Sequence, residues 1–190
     1  MIKKYFLLNA LFVLSMTSYA EPLDPVKLLS SYVGIDTVNP PGNESRAVDF
    51  YAKIFEEEGI DFSSAESAPG RGNIWARIKG GNLPALILLQ HTDVVPATKG
   101  YWETDPFVAE IKDGYLYGRG VIDMKGAGIS QLVSFIRLHR SGLSLNRDVV
   151  FVATADEEAG GMFGAGWLIE NHREIFEGAG FGSNEGGSCL

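Results

Sequence analysis

The chain has 190 residues, 45% of them hydrophobic and 21% charged, which is enough to bury one core and rules out a disordered or collagen-like chain. Acids outnumber bases 24 to 16, for a formal charge of −8, and this balance argues against nucleic acid as a partner. A single cysteine, Cys189, excludes an intrachain disulfide and any cysteine-based zinc ribbon.

Lys3 and Lys4 precede an apolar run from Tyr5 to Met16, followed by small residues Ser18 and Ala20 at the −3 and −1 positions of a cleavage site. The pattern predicts a cleavable signal over residues 1–20 and a secreted, periplasmic product. The run is short for a bilayer span, and no later stretch reaches the roughly 18 apolar residues that one needs. From Glu21 onward, turn signals separate alternating helix-like and strand-like segments without internal repeats, so the rest reads as one α/β unit.

Asp24 to Tyr32 is a short helix with Pro25 at its first position, and VNPPGN (Val38 to Asn43) follows as a rigid loop. Ala47, Phe50, Tyr51, Ile54 and Phe55 recur at helical spacing, with Asn43 as cap and Gly59 as stop. Asn73 to Lys79 alternates like a strand. Ala85 to Leu89 is a continuous apolar run, suited to a strand buried on both faces. Phe107 to Lys112 and Tyr115 to Tyr117 flank Asp113–Gly114, a hairpin signal. Ile129, Leu132, Val133 and Ile136 predict a helix ending at Ser141–Gly142. A third strand follows at Val149 to Ala155, then a helix over Met162 to Asn171 and a glycine-rich end.

The polar residues gather at strand ends. His91 and Asp93 follow one buried strand, Asp156, Glu157 and Glu158 follow another, and Asp123 lies at a loop-to-helix junction after Gly118 and Gly120. In open α/β sheets ligands bind beyond the carboxyl ends of the strands, so these clusters should meet. Carboxylates brought together repel one another unless a cation neutralises them, and imidazole with carboxylate but no thiolate suits zinc or a similar divalent metal. The spacing of His91 and Asp93 lets a carboxylate take the free ring N–H of a metal-bound histidine. Adjacent Glu157 and Glu158 divide into ligand and proton shuttle in either order. Taken singly, each feature has a plainer reading: His91 as a satisfied strand-end residue, and the acidic triplet as a solvated loop or a first helical turn. There is no dinucleotide fingerprint, no GK[ST] phosphate loop and no GxSxG elbow, and His139 and His172 read as exposed helix-end residues.

The strings LLQHTDVVPA (Leu88 to Ala97), YGRGVIDMKG (Tyr117 to Gly126), TADEEAGG (Thr154 to Gly161) and NEGG (Asn184 to Gly187), in this order, resemble the co-catalytic zinc metallopeptidase family. That family includes glutamate carboxypeptidase, aminoacylase, carnosinase-like dipeptidases and succinyl-diaminopimelate desuccinylase. The resemblance implies an α/β fold with a mostly parallel central sheet flanked by helices, as in zinc exopeptidases. It implies two zinc ions, with cobalt and manganese as the alternative metals. By the same resemblance His91, Asp123 and Glu185 hold one ion, Asp123 bridges, Glu158 binds the second, Asp93 orients His91, and Glu157 is the general base.

The activity implied is hydrolysis of an amide bond in a small peptide or N-acyl amino acid by metal-activated water. Family members continue past NEGG into a lid or dimerisation domain and a distal histidine on the second ion. Residues 21–190 are therefore expected to be the amino-terminal part of the catalytic domain, with any homodimer made through the missing lid. The alternative expectation is a catalytically inactive metal-binding chain, or a fragment without function of its own.

Overall fold

A computed structural model describes residues 22–185, so the expected signal over residues 1–20 and the lone Cys189 lie outside the described residues. Helix α1 (Pro25–Val33) begins where Asp24 accepts hydrogen bonds from the Val26 and Lys27 amides at 3.0 and 3.1 Å, and Pro25 supplies a φ already suited to the first turn. Helix α2 (Ser45–Glu58) ends at Gly59 in the left-handed region. It starts one residue later than the Asn43 cap predicts. Glu44 occupies the cap position with no side-chain capping bond, because its carboxylate turns inward to meet Arg71.

Strands β1 (Phe62–Glu66), β2 (Gly72–Ile78), β3 (Leu83–His91), β6 (Arg147–Thr154) and β7 (Ala179–Ser183) form one sheet in the order β1-β2-β6-β3-β7, while β4 (Glu110–Lys112) and β5 (Tyr115–Tyr117) make a separate hairpin. β6 pairs in parallel with β3, which pairs in parallel with β7, whereas β2 runs antiparallel to both β6 and β1. Four of the five strands therefore point the same way and only β2 opposes them. In the hairpin, Asp113 and Gly114 both take positive φ, 54° and 83°, as a tight turn matched to strand twist requires.

β6 shows why the centre of the sheet is stable. Val149, Phe151 and Ala153 face one side with α1, α2 and α3 (Lys125–Ser141), and Val150 and Val152 face the other with Leu168 of α4 (Ala165–Asn171). Alternate residues enter two separate cores, as expected of a strand covered on both faces. Aromatic rings fill the larger core: Phe151 lies 5.4 Å from Tyr51, 5.5 Å from Phe55 and 5.7 Å from Phe135. β3 is only half covered on the same test, with Ala85 and Ile87 buried and Leu86 and Leu88 partly so.

Besides the start of α2 and the coverage of β3, β4 begins at Glu110 rather than Phe107, and three further elements differ from expectation. β1 is a short edge strand of small and polar residues, which leaves no apolar alternation to read. α4 begins at Ala165 rather than Met162, since Gly160 and Gly161 take positive φ and the Phe163 amide is committed to the Asp156 carboxylate at 3.0 Å. β7 forms within the glycine-rich end, where a lone exposed Phe181 among small residues gives no period-two signal.

Candidate metal centre

The parallel strands β3, β6 and β7 finish at the same end of the sheet, and the chain leaving each one carries a polar residue. His91 ends β3, Glu157 and Glu158 follow β6 in a 3-10 turn, and Glu185 lies just past β7. Asp123 arrives from the loop before α3. The His91 amide donates to the Met124 sulfur at 3.3 Å, which ties that loop to the end of β3.

His91 is 2% exposed, and its two ring nitrogens face different surroundings. Nδ1 lies 3.0 Å from the Asp93 carbonyl oxygen and 3.4 Å from its carboxylate, so a proton there has acceptors on the interior side. Nε2 faces Asp123 at 3.0 Å, Glu185 at 3.4 Å and Glu157 at 3.9 Å. Two donor sets result, His91–Glu157–Glu185 and His91–Asp123–Glu158, each with its ligand atoms within 4.8 Å of one another. Ligands at zinc–nitrogen and zinc–oxygen distances of about 2.0–2.1 Å sit about 3.3 Å apart in a tetrahedron. The Nε2 contacts to Asp123 and Glu185 bracket that value. The donor chemistry, one imidazole with carboxylate oxygens and no thiol, fits a divalent ion such as zinc.

The electrostatics point the same way. Burial, reinforced by Asp123, pushes the Glu158 carboxyl above its usual range, and burial together with a hydrogen bond that the protonated Glu185 carboxyl donates to Asp123 does the same to Glu185. Burial opposes charge on His91, but the hydrogen bond and charge of Asp93, with Glu185 and Asp123, outweigh it and raise the imidazole to about 10. These carboxylates thus draw a proton onto His91 where a cation can sit. Burial would raise Asp93, yet hydrogen bonds from His91 and Asn39 hold it below the ordinary range.

Asp93 is fully buried and joins the two halves of the site. Its carboxylate accepts the Glu157 and Glu158 backbone amides, both at 3.1 Å, and the Asn39 side-chain amide at 2.8 Å. Asp156, the first acid of the triplet, faces away from the cluster and is buried against Arg71. Asn39, Glu44 and Arg71 were invisible as site residues in the sequence; the only signal was the rigid VNPPGN loop. His139 and His172 belong to neither donor set and are half-buried rather than exposed, His172 because its ring lies tilted against Trp75 and Trp167 at 5.0 and 5.1 Å. A roomier groove of about 810 Å³ between α1 and α2 holds none of these groups.

Residues 87–187 match peptidase family M20/M25/M40, a stretch that contains all four motif strings. The chain is 35% identical over 164 residues to aminoacylase-1B of Rattus norvegicus, covering 85% of this chain and 40% of that protein. It is 35% identical over 160 residues to succinyl-diaminopimelate desuccinylase of Parvibaculum lavamentivorans, covering 81% and 39%. The crystal structure of human carnosine dipeptidase 1 superimposes with a TM-score of 0.65 at 27% identity, over 85% of this chain and 38% of that one. The chain thus spans about two-fifths of the length of these relatives. Because the family match covers more than half of the sequence and includes every strand-end cluster described above, the chain belongs to peptidase family M20/M25/M40.

Proposed function

We propose that this chain carries the metal-binding half of a zinc-dependent hydrolase that cleaves an amide bond in a small peptide or N-acyl amino acid. The observation that carries the reading is the convergence of one imidazole and four carboxylates at the common end of β3, β6 and β7, supported on the interior side by Asp93. His91, Asp123 and Glu185 would hold one ion and Asp123 with Glu158 the second. Ions held there supply Lewis-acid polarisation of the scissile carbonyl and a water acidic enough to attack near neutral pH.

The chain's own residues do the rest. Asp93 keeps the proton on Nδ1 of His91 and so leaves the Nε2 lone pair free to bind. Glu157, half-exposed at the mouth of the site, takes a proton from the attacking water and returns it to the leaving amine. A cleft of about 350 Å³ lined by Trp102, Tyr117, Arg119 and Ile122 leads to Asp123 and suits an apolar acyl or side-chain group. The relatives named above support the substrate class, since their names specify aminoacylase, desuccinylase and dipeptidase activities. Export to the periplasm rests on residues 1–20 alone, and amino-terminal sequencing of the mature protein should begin at Glu21.

Zinc titration of the chain with His91→Ala as control, paired with turnover of N-acetyl amino acids and dipeptides, tests the reading. Expected are zinc uptake that disappears in His91→Ala and turnover that is poor from this chain alone. Absence of zinc uptake by the wild-type chain would overturn the metal assignment.

A second reading follows from Glu157 lying in a donor set with His91 and Glu185. If Glu157 is a ligand, the base role falls to Glu158, the other order of the pair. Glu157→Gln separates the two: a base mutant keeps its zinc and loses turnover, and a ligand mutant loses zinc.

A further inference from the structure

Behind the metal cluster lies a second, fully interior set of charges that no step above uses. Arg71, on the turn before β2, is 6% exposed and pairs with two carboxylates that are themselves buried. It meets Glu44 at 3.0 Å and Asp156 at hydrogen-bonding contact, and it donates to the Pro41 carbonyl at 3.0 Å. Asn39 completes the set. Its side-chain oxygen accepts from Arg71 at 3.3 Å, and its amide donates to Asp156 at 3.2 Å and to Asp93 at 2.8 Å.

This set ties the VNPPGN loop to two of the segments that form the cluster, the end of β3 and the turn after β6. The chain from Thr37 into the VNPPGN loop is zipped to the segment after the strand end carrying His91 and Asp93. The Asn39 amide donates to the Val94 carbonyl at 2.9 Å, the Val94 amide to the Thr37 carbonyl at 3.1 Å, and the Thr37 hydroxyl to the Thr92 carbonyl at 2.6 Å. The turn after β6 is pinned at Asp156, whose amide donates to Glu44 at 3.2 Å and whose carboxylate accepts from the Phe163 amide at 3.0 Å. Asp156 takes φ 69°, a conformation that non-glycine residues seldom adopt, and the next two amides then reach Asp93. Gly42 gives room for the guanidinium: a Cβ there would fall 1.5 Å from an Arg71 nitrogen.

We propose that Arg71 and Asn39 are positioning residues: through Asp156 and Asp93 they set where the Glu157 and Glu158 carboxylates stand relative to His91. The geometry distinguishes this from a purely structural ion pair. Arg71 with Glu44 and Asp156 would stabilise the fold by themselves, but Asn39 extends the set to Asp93, the residue that touches both His91 and the Glu157–Glu158 turn. The functional consequence rests on the metal reading above, while the positioning itself does not require a metal.

Amide hydrogen exchange on the metal-free chain tests the positioning directly. In Asn39→Ala the Glu157 and Glu158 amides should exchange about tenfold faster, as loss of roughly one hydrogen bond's worth of protection dictates, while the β3 and β6 amides keep their rates. Arg71→Lys keeps the charge but cannot reach Asn39, Pro41, Glu44 and Asp156 together, and should show the same selective loss to a smaller degree. Unchanged exchange at Glu157 and Glu158, absence of protection there in the wild type, or uniform acceleration across the sheet in both variants would overturn the inference.

Zinc titration adds the consequence. Asn39→Ala should bind about tenfold or more weakly. Tyr51→Phe, which removes the buried 2.9 Å bond from Tyr51 to Gln90 in the aromatic core, should bind as the wild type does. Equal weakening in both would mean that lost stability, not position, sets affinity. Failure of the wild type to bind zinc sinks the metal reading and leaves the exchange result to decide this one.

Discussion

If His91 binds metal as proposed, a proton and the ion compete for the same Nε2 lone pair. With the imidazole raised to about 10 in the metal-free protein, zinc binding near pH 7.5 should release close to one proton, and affinity should fall as pH is lowered. Calorimetry in buffers of different ionisation enthalpy reads the proton count directly. The same shift sets a pH dependence of folding. A histidine raised from its ordinary value of 6.5 to about 10 contributes fully below 6.5 and loses its contribution as pH rises toward 10. Lys125 acts in the opposite sense. Burial lowers its ammonium to about 8, with Asp36 partly opposing, so its native form sheds a proton before the unfolded one and stability gains from about pH 8 upward. Metal-free stability should therefore drop between pH 6.5 and 8 and flatten above, as denaturant melts across that range would show. His91→Ala should lose the drop.

At the scale of the element, junctions carry the site. Lys125, 1% exposed, opens α3 and donates to the Tyr32 and Ile35 carbonyls at 3.0 and 2.7 Å, so it caps the end of α1 and anchors the segment that delivers Asp123. Lys125→Met leaves those carbonyls without that donor and should cost about 1–3 kcal/mol in denaturant unfolding. At the other end of α1, Asp24→Ala removes two capping bonds and should cost about 1 kcal/mol. α2 and α3 were legible from apolar residues at helical spacing, β2 from alternation, β3 and β6 as buried strands of nearly continuous apolar residues, and α1 from Pro25 at its first position. β1 and β7 were not, since edge strands with exposed faces need no such pattern. The Asn43 cap was displaced by a tertiary contact, Glu44 turning inward to Arg71, which local preference does not encode.

For the molecule as a whole, stability should be graded across the sheet. β6 is covered on both faces and flanked by β2 and β3, whereas every residue of β7 is exposed and its outer edge has no partner among the described residues. Hydrogen exchange should be slowest in β6 and fastest in β7, so Glu185, just past β7, follows the least stable strand of the sheet, and zinc should slow exchange there if Glu185 is a ligand. Phe151→Ala, in the middle of four packed rings, should cost about 3–5 kcal/mol and unfold the sheet and the site together. The residue types in the motif strings fixed which donor atoms are on offer, nitrogen from His91 and oxygen from Asp123, Glu158 and Glu185, and the four strings in order determined the family. Tertiary structure decided what spacing along the chain cannot. It separated Asp156, buried against Arg71, from Glu157 and Glu158, which face the cluster, although the three are consecutive carboxylates in the sequence. It also recruited Asn39, Glu44 and Arg71, whose partners are distant in sequence. A buried charge is set by the groups that surround it in space, and only the fold brings those groups together.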